Sequence, residues 1–359
     1  MDLRAPQVSA SLRTAAYATV LVLGIGWLLH VGKSIVVPIV LSVLVVYVID
    51  GVARLFTRLP GLGPHLPRYV GYTLSILMIV VILVYVARML IASLGSVVAL
   101  APQYEASLLN AIQAIAEILG METAPTWSSL RRDLLAQIDL HRIIGTTFVS
   151  VSAIAGSLLA VLLYGAFLLF EKRALASKLD RLSSDPDRVA HLRRIVTDVN
   201  AKIGTYLALK TVVSVMQGLL AWVIMALFGL QFAALWAVLI GLFNYVPYVG
   251  TVLSVFFPVA FAAMQFADLG AVLSILAALS VAQFVIGFFL DPWLMGSSLN
   301  LSPFVVLVSI TVWAALWGVP GAFLAVPITA CMAMVCAEFT ATRPLAVLLS
   351  RNGRLEPVP

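Results

Sequence analysis

Between Phe243 and Gly250 the chain reads FNYVPYVG, an amide and two phenols around a proline, inside an apolar run from Phe232 to Phe266 that carries no charge. Asn244, Tyr245 and Tyr248, with Thr251 just past the glycine, suit a hydroxylated solute. Amides and phenols bind hydroxyls without the desolvation cost of a full charge. The same groups have an alternative use, which is to satisfy the backbone that Pro247 and Gly250 interrupt. The preceding apolar stretch adds Lys210 and, two turns further on, Gln217. Lys210 is read first as snorkelling to the inner headgroups, with a substrate or coupling role as the alternative. Gln217 is either a helix-to-helix hydrogen bond or a solute contact. Between residues 211 and 342 there is no Lys or Arg, and the acids are Asp268, Asp291 and Glu338, all near the ends of apolar stretches. Asp291 and Glu338 are therefore the candidates for ion coupling, and a long proton relay is not expected. No HExxH, GxSxG or Walker pattern is present, and His30, His65, His141 and His191 are scattered. Cys331 and Cys336, five residues apart, read as small buried hydrophobes on different helix faces. No enzymatic activity, cofactor or metal site is expected.

The elements that must hold these groups follow from composition. A chain of 359 residues that is 62% hydrophobic and 11% charged has too much apolar surface for one water-soluble core. Apolar stretches long enough to cross a bilayer as helices, roughly 20 residues each, fall at 14–32, 35–53, 70–94, 147–170, 206–229 and 270–291, with interrupted apolar regions at 232–266 and 303–340. No small-residue cleavage site follows Trp27 to His30, so the first stretch reads as a retained helix. The net charge of +6 lies in basic residues that flank these stretches, which argues for lipid headgroups rather than nucleic acid. Arg54, Arg58 and Arg68, and the basic segment 171–210, mark the cytoplasmic side; Arg4, Arg13, Arg343, Arg351 and Arg354 put both termini there too.

The chain divides accordingly. Residues 1–95 hold three transmembrane helices. Residues 96–146 form an extracytoplasmic segment in which Leu108, Ile112, Ile115 and Leu119, then Trp127, Leu130, Leu134 and Ile138, mark two amphipathic helices. A fourth span at 147–170 leads to a cytoplasmic helical segment, 171–205, where Asp185-Pro186 reads as a cap and first turn. His191 there is read as a surface residue rather than a pH sensor. Residues 206–340 are the transport core and 341–359 a cytoplasmic tail.

Within that core, WAALWGVPGAFLAVP from Trp313 to Pro327 repeats the device of the first break, with Gly318, Pro320 and Gly321 in an apolar run. Each interrupted region follows one uninterrupted span, 206–266 and then 270–340, entering from opposite sides. That is an inverted repeat, an arrangement in which transporters build a site near the membrane midplane. The expected fold is all-α and polytopic, with about eight spans and two broken helical hairpins, each either re-entrant or made of two full crossings.

Several stretches taken in order resemble the family of autoinducer-2 exporters, the PerM-like permeases: YLALK (Tyr206 to Lys210), Gln217-Gly218, LFG (Leu227 to Gly229), NYVPYVG (Asn244 to Gly250), MGSSLNLSP (Met295 to Pro303) and WGVPGAFLAVP (Trp317 to Pro327). The resemblance implies a multi-pass bacterial inner-membrane protein, a homo-oligomer, that moves a small polar solute such as autoinducer-2 out of the cell. Some relatives are described as sodium/proton antiporters. Where relatives often carry a glutamate before the Asp-Pro step, this chain has Ile286-Gly287 ahead of Asp291-Pro292. The rival readings are that antiporter, which needs Asp291, Lys210 or Glu338, and a membrane scaffold that binds other proteins.

Overall fold

The computed structural model describes residues 5–58, 67, 69–89, 91–93, 96, 140–181, 184–266, 268–295 and 299–354. The elements are α1 (Ala5–Val31), α2 (Lys33–Arg58), α3 (Tyr69–Ser93), α4 (Leu140–Leu179), α5 (Pro186–Leu227), α6 (Ala233–Phe243), α7 (Val249–Phe266) and α8 (Leu269–Val285). A π-helical turn (Ile286–Leu290) carries α8 into α9 (Asp291–Met295), followed by α10 (Pro303–Trp317), α11 (Val319–Glu338) and α12 (Arg343–Leu349). Among the described residues six helices are long and apolar enough to cross a membrane. The protein is an all-α polytopic membrane protein. The two amphipathic helices expected within 96–146 lie outside the described residues, apart from the start of α4.

The longest element is α5, whose 42 residues extend for about 63 Å at 1.5 Å per residue, twice the hydrocarbon thickness. Its start is set by Asp185, whose side chain accepts from Asp187 N at 3.0 Å, with Pro186 in the first turn. Along α5 the buried positions recur every three or four residues, while Leu219, Leu220, Trp222 and Val223 on the other side are exposed, as a lipid-facing surface requires. The buried stripe changes character along its length. Ile203 and Leu207 pack with Val326 and Ala330 of α11. Ala221 and Met225 join Ile240, Phe261, Ile275 and Leu279 in a second apolar cluster. Lys210, Ser214 and Gln217 lie between these two, buried and polar.

Small residues let α6 close on that polar stretch. A Cβ at Gly218 would come within 2.9 Å of the Ala237 carbonyl oxygen, and one at Gly241 within 3.1 Å of the Ser214 carbonyl oxygen. The two backbones therefore touch, and α6 is held tightly on α5.

The two interrupted regions use glycine in the same steric way. A Cβ on Gly250 would sit 1.8 Å from the Phe243 carbonyl oxygen, and one on Gly321 would sit 1.9 Å from that of Trp313. In each hairpin the returning helix presses a glycine onto the outgoing one. Gly250 is thus needed for close approach rather than for an unusual backbone conformation, and it is Tyr248 that takes the left-handed conformation, φ +63°. In the second hairpin a glycine does take it, Gly318 at φ +68°. The tip of the second hairpin rests on the end of α1, where Trp317 Nε1 donates to Leu29 O at 3.0 Å and His30 Nδ1 lies 3.1 Å from Leu316 O.

Candidate functional site

Lys210 is 4% exposed, so its ammonium does not snorkel. It turns into the protein, 3.0 Å from Asp291 Oδ2 on α9 and 3.3 Å from Asn244 Oδ1 at the end of α6. One cation thus ties α5, the tip of the first hairpin and the segment beyond the π turn. The reason lies in packing: α5 presents Lys210 to protein, where a buried charge must find a partner or neutralise. Asn244 completes the group by donating from Nδ2 to Ser214 Oγ at 3.1 Å, one turn along α5. Asp291 Oδ1 is buried without a hydrogen-bond partner, so the carboxylate is half satisfied.

The break itself does not consume these side chains. Tyr245 N, Val246 N and Gly250 N bond to Leu242 O, Phe243 O and Val246 O at 3.1, 2.9 and 2.9 Å, closing the turn with backbone alone. The polar side chains are left for one another and for the space beside them. That space is a cavity of about 1280 Å³, lined among others by Lys210, Asn244, Tyr248, Thr251 and Asp291.

Not every expected residue faces it. Gln217 is 3% exposed and stands behind Gln283 of α8, which does line the cavity; its Nε2 donates to Gln283 Oε1 at 2.5 Å, and its own Oε1 has no partner. The Tyr245 hydroxyl lies 2.7 Å from Thr211 Oγ1, and its ring stacks on Phe323 of α11 at a centroid distance of 6.1 Å, so it couples the first hairpin to the second. Glu338 is placed elsewhere, 3.8 Å from Nε2 of His191 at the beginning of α5, and Asp268 caps α8 by accepting from Ala271 N at 2.7 Å. Pro247 lines the cavity, whereas Gly318, Pro320 and Gly321 belong to the other tip. Sequence reasoning missed Ser214, which the i, i+4 spacing from Lys210 could have revealed. It also missed Gln283, a lone amide in an apolar helix, which is itself a signal of a buried partner.

A polar, ion-paired cavity framed by lipid-facing helices has the chemistry to bind a small hydrophilic solute. Comparison with known proteins agrees with that. The sequence profile described as AI-2E family transporter matches residues 17–340. The chain belongs to this family. Within the AI-2E transporters it is 28% identical over 328 residues to YhhT of Escherichia coli, covering 89% of each chain. It is 27% identical over 321 residues to the AI-2 transport protein TqsA of the same organism, covering 88% of this chain and 90% of that one. It is 25% identical to PerM of Escherichia coli over 196 residues, 55% of this chain and 54% of the relative. Membership gives this AI-2E protein a membrane transport role, in a bilayer and on a small solute, and points away from catalysis.

Proposed function

We propose that this AI-2E transporter exports a small hydroxyl-bearing solute, autoinducer-2 being the first candidate because TqsA, which aligns over most of both chains, is named for its transport. The observation that carries the reading is the cluster of Lys210, Asn244 and Asp291 facing a cavity of about 1280 Å³, somewhat above the usual range for small-molecule sites. Asn244, Tyr248 and Thr251 would take hydroxyl groups directly, with Lys210 in the same lining. Gln217 would act through Gln283. The apolar cluster of Met225, Ile240, Phe261, Ile275 and Leu279 closes the path beyond the polar stretch of α5. Alternating access would come from the two hairpins, read as re-entrant halves of an inverted repeat, moving against the first four spans. Support for the repeat is the glycine-on-carbonyl contact common to Gly250 and Gly321. In this reading the protein is a homo-oligomer of the inner membrane with both termini cytoplasmic.

A second reading is favoured by one observation, the Lys210–Asp291 pair with its unpartnered Asp291 Oδ1. A buried pair of this kind suits sodium/proton exchange. Glu338, paired at a distance with His191, would then take no part. The test is uptake and efflux of labelled autoinducer-2 in proteoliposomes, with and without proton and sodium gradients, for the natural protein, Asn244→Ala and Tyr248→Phe. Transport by the natural protein that falls at least tenfold in Asn244→Ala, with folding intact, supports the exporter. Sodium/proton exchange without solute movement replaces it with the antiporter.

A further inference from the structure

Just beyond α12, residues 350–354 stay against the start of α10. Ser350 forms a β-bridge with Leu301, Ser302 N donates to Leu349 O at 3.0 Å, and Arg351 N donates to Asn300 O at 3.1 Å. Asn300 Nδ2 then donates to Arg354 O at 2.8 Å. These three hydrogen bonds, the first two of which make the bridge, lay residues 349–354 antiparallel along the end of the link between α9 and α10. The effect is that Arg351 and Arg354 line the same cavity as Lys210 and Asn244.

The charge of the lining follows. Its ionisable groups include one acid, Asp291, and that acid is paired with Lys210 at 3.0 Å. Arg351 and Arg354 are exposed, and among the described residues neither has a carboxylate within ion-pair distance. Among the described residues two positive charges are therefore left without a countercharge in the lining, on a wall fixed by backbone hydrogen bonds. A tail needed only to obey the positive-inside tendency could hang in water. This one is seated at the cavity.

We infer that the C-terminal tail is a structural wall of the cavity and that Arg351 and Arg354 make it select a solute bearing negative charge, a hydroxylated carboxylate or phosphate ester, over a neutral or cationic one. This rests on the reading of the cavity as the solute path and deepens it, moving the preferred solute from a neutral polyol such as autoinducer-2 to an anionic hydroxylated one. A guanidinium matches either oxyanion by paired N–H donors. Charges at the mouth of a cleft with low-dielectric walls raise the local concentration of the opposite sign by tenfold or more. The hydroxyls of the solute would meet Asn244, Tyr248 and Thr251, and its anionic group the arginines.

The charge of the cavity can be read without knowing the solute. In protein carrying Cys331→Ala, Cys336→Ala and Thr251→Cys, held in nanodiscs, the thiol is timed with sulfonate-bearing, trimethylammonium-bearing and neutral methanethiosulfonates. Ser177→Cys, exposed on α4, gives the reference ratios. The expected result is a preference for the anionic reagent at Thr251→Cys on the order of tenfold over the reference, shrinking as salt is raised. Arg351→Gln with Arg354→Gln should remove the preference, while Arg343→Gln, exposed and outside the cavity lining, should not reduce it. The neutral reagent corrects for any change of access that the substitutions cause. A ratio at Thr251→Cys equal to the reference, one favouring the cation, or an anionic preference that survives loss of both arginines overturns the inference. Export itself stands or falls on solute movement in proteoliposomes, whereas the reagent ratios decide only whether the exported solute is anionic or neutral.

Discussion

Replacing Asp291 by asparagine removes the carboxylate and leaves Lys210, whose side chain is 5% exposed, with only the Asn244 oxygen and the new amide as partners. Removing one partner of a buried ion pair costs about 3–5 kcal/mol, because the remaining charge stays desolvated. The lower end applies, since the ammonium keeps Asn244 and the cavity beside it can admit water, so the expected cost is about 3 kcal/mol. The reverse substitution, Lys210→Met, should cost less, on the order of 1–2 kcal/mol, because the Asp291 side chain is 23% exposed and can hydrate from the cavity. In the double variant Lys210→Met with Asp291→Leu no charge is left stranded, and replacing a whole pair by apolar groups is often neutral. Reversible unfolding by dodecyl sulfate in mixed micelles would rank the three. The expected order of stability is double variant above Lys210→Met above Asp291→Asn. A loss below about 1 kcal/mol in Asp291→Asn, the value of an exposed pair, would show that water already screens the pair, and the account of Lys210 as a protein-facing charge would fail. A double variant no more stable than Asp291→Asn would refute the argument from desolvation.

Gly250→Ala and Gly321→Ala each place a methyl within 2 Å of a carbonyl oxygen, so both should abolish a monodisperse peak on size exclusion; Gly51→Ala in α2, where nothing lies within 4 Å, should be neutral or stabilising by up to about 1 kcal/mol. Tyr245→Phe removes the contact with Thr211 and leaves Thr211 bonded to Leu207 O, so a loss of about 1 kcal/mol is expected in the same unfolding assay, with the Phe323 stack intact. Gln217→Leu deletes a donor to Gln283 and also an orphaned oxygen. The two effects oppose, so stability should change by less than about 1 kcal/mol, while solute transport falls if Gln283 needs Gln217 to hold its orientation.

Hydropathy was enough to establish a polytopic helical membrane protein, since a run of apolar residues without charge has no other stable environment. Pro247, and Gly318 with Pro320, likewise marked the places where helices end and restart, because proline's missing donor and glycine's access to positive φ act locally whatever surrounds them. The polar groups worth watching were also legible, as amides, phenols and a lysine are expensive in lipid and so stand out against it. What they do was decided by tertiary structure. Helical periodicity places Lys210 on a face but not that face against lipid or protein, and snorkelling and ion pairing differ only in that choice. The partner, Asp291, is 81 residues away, brought near by the α5 and α8 packing that no local preference encodes. The same holds for Gly250, whose lack of a side chain could serve backbone freedom or close approach. Only the distance to the Phe243 oxygen, a property of two helices folded onto each other, separates the two.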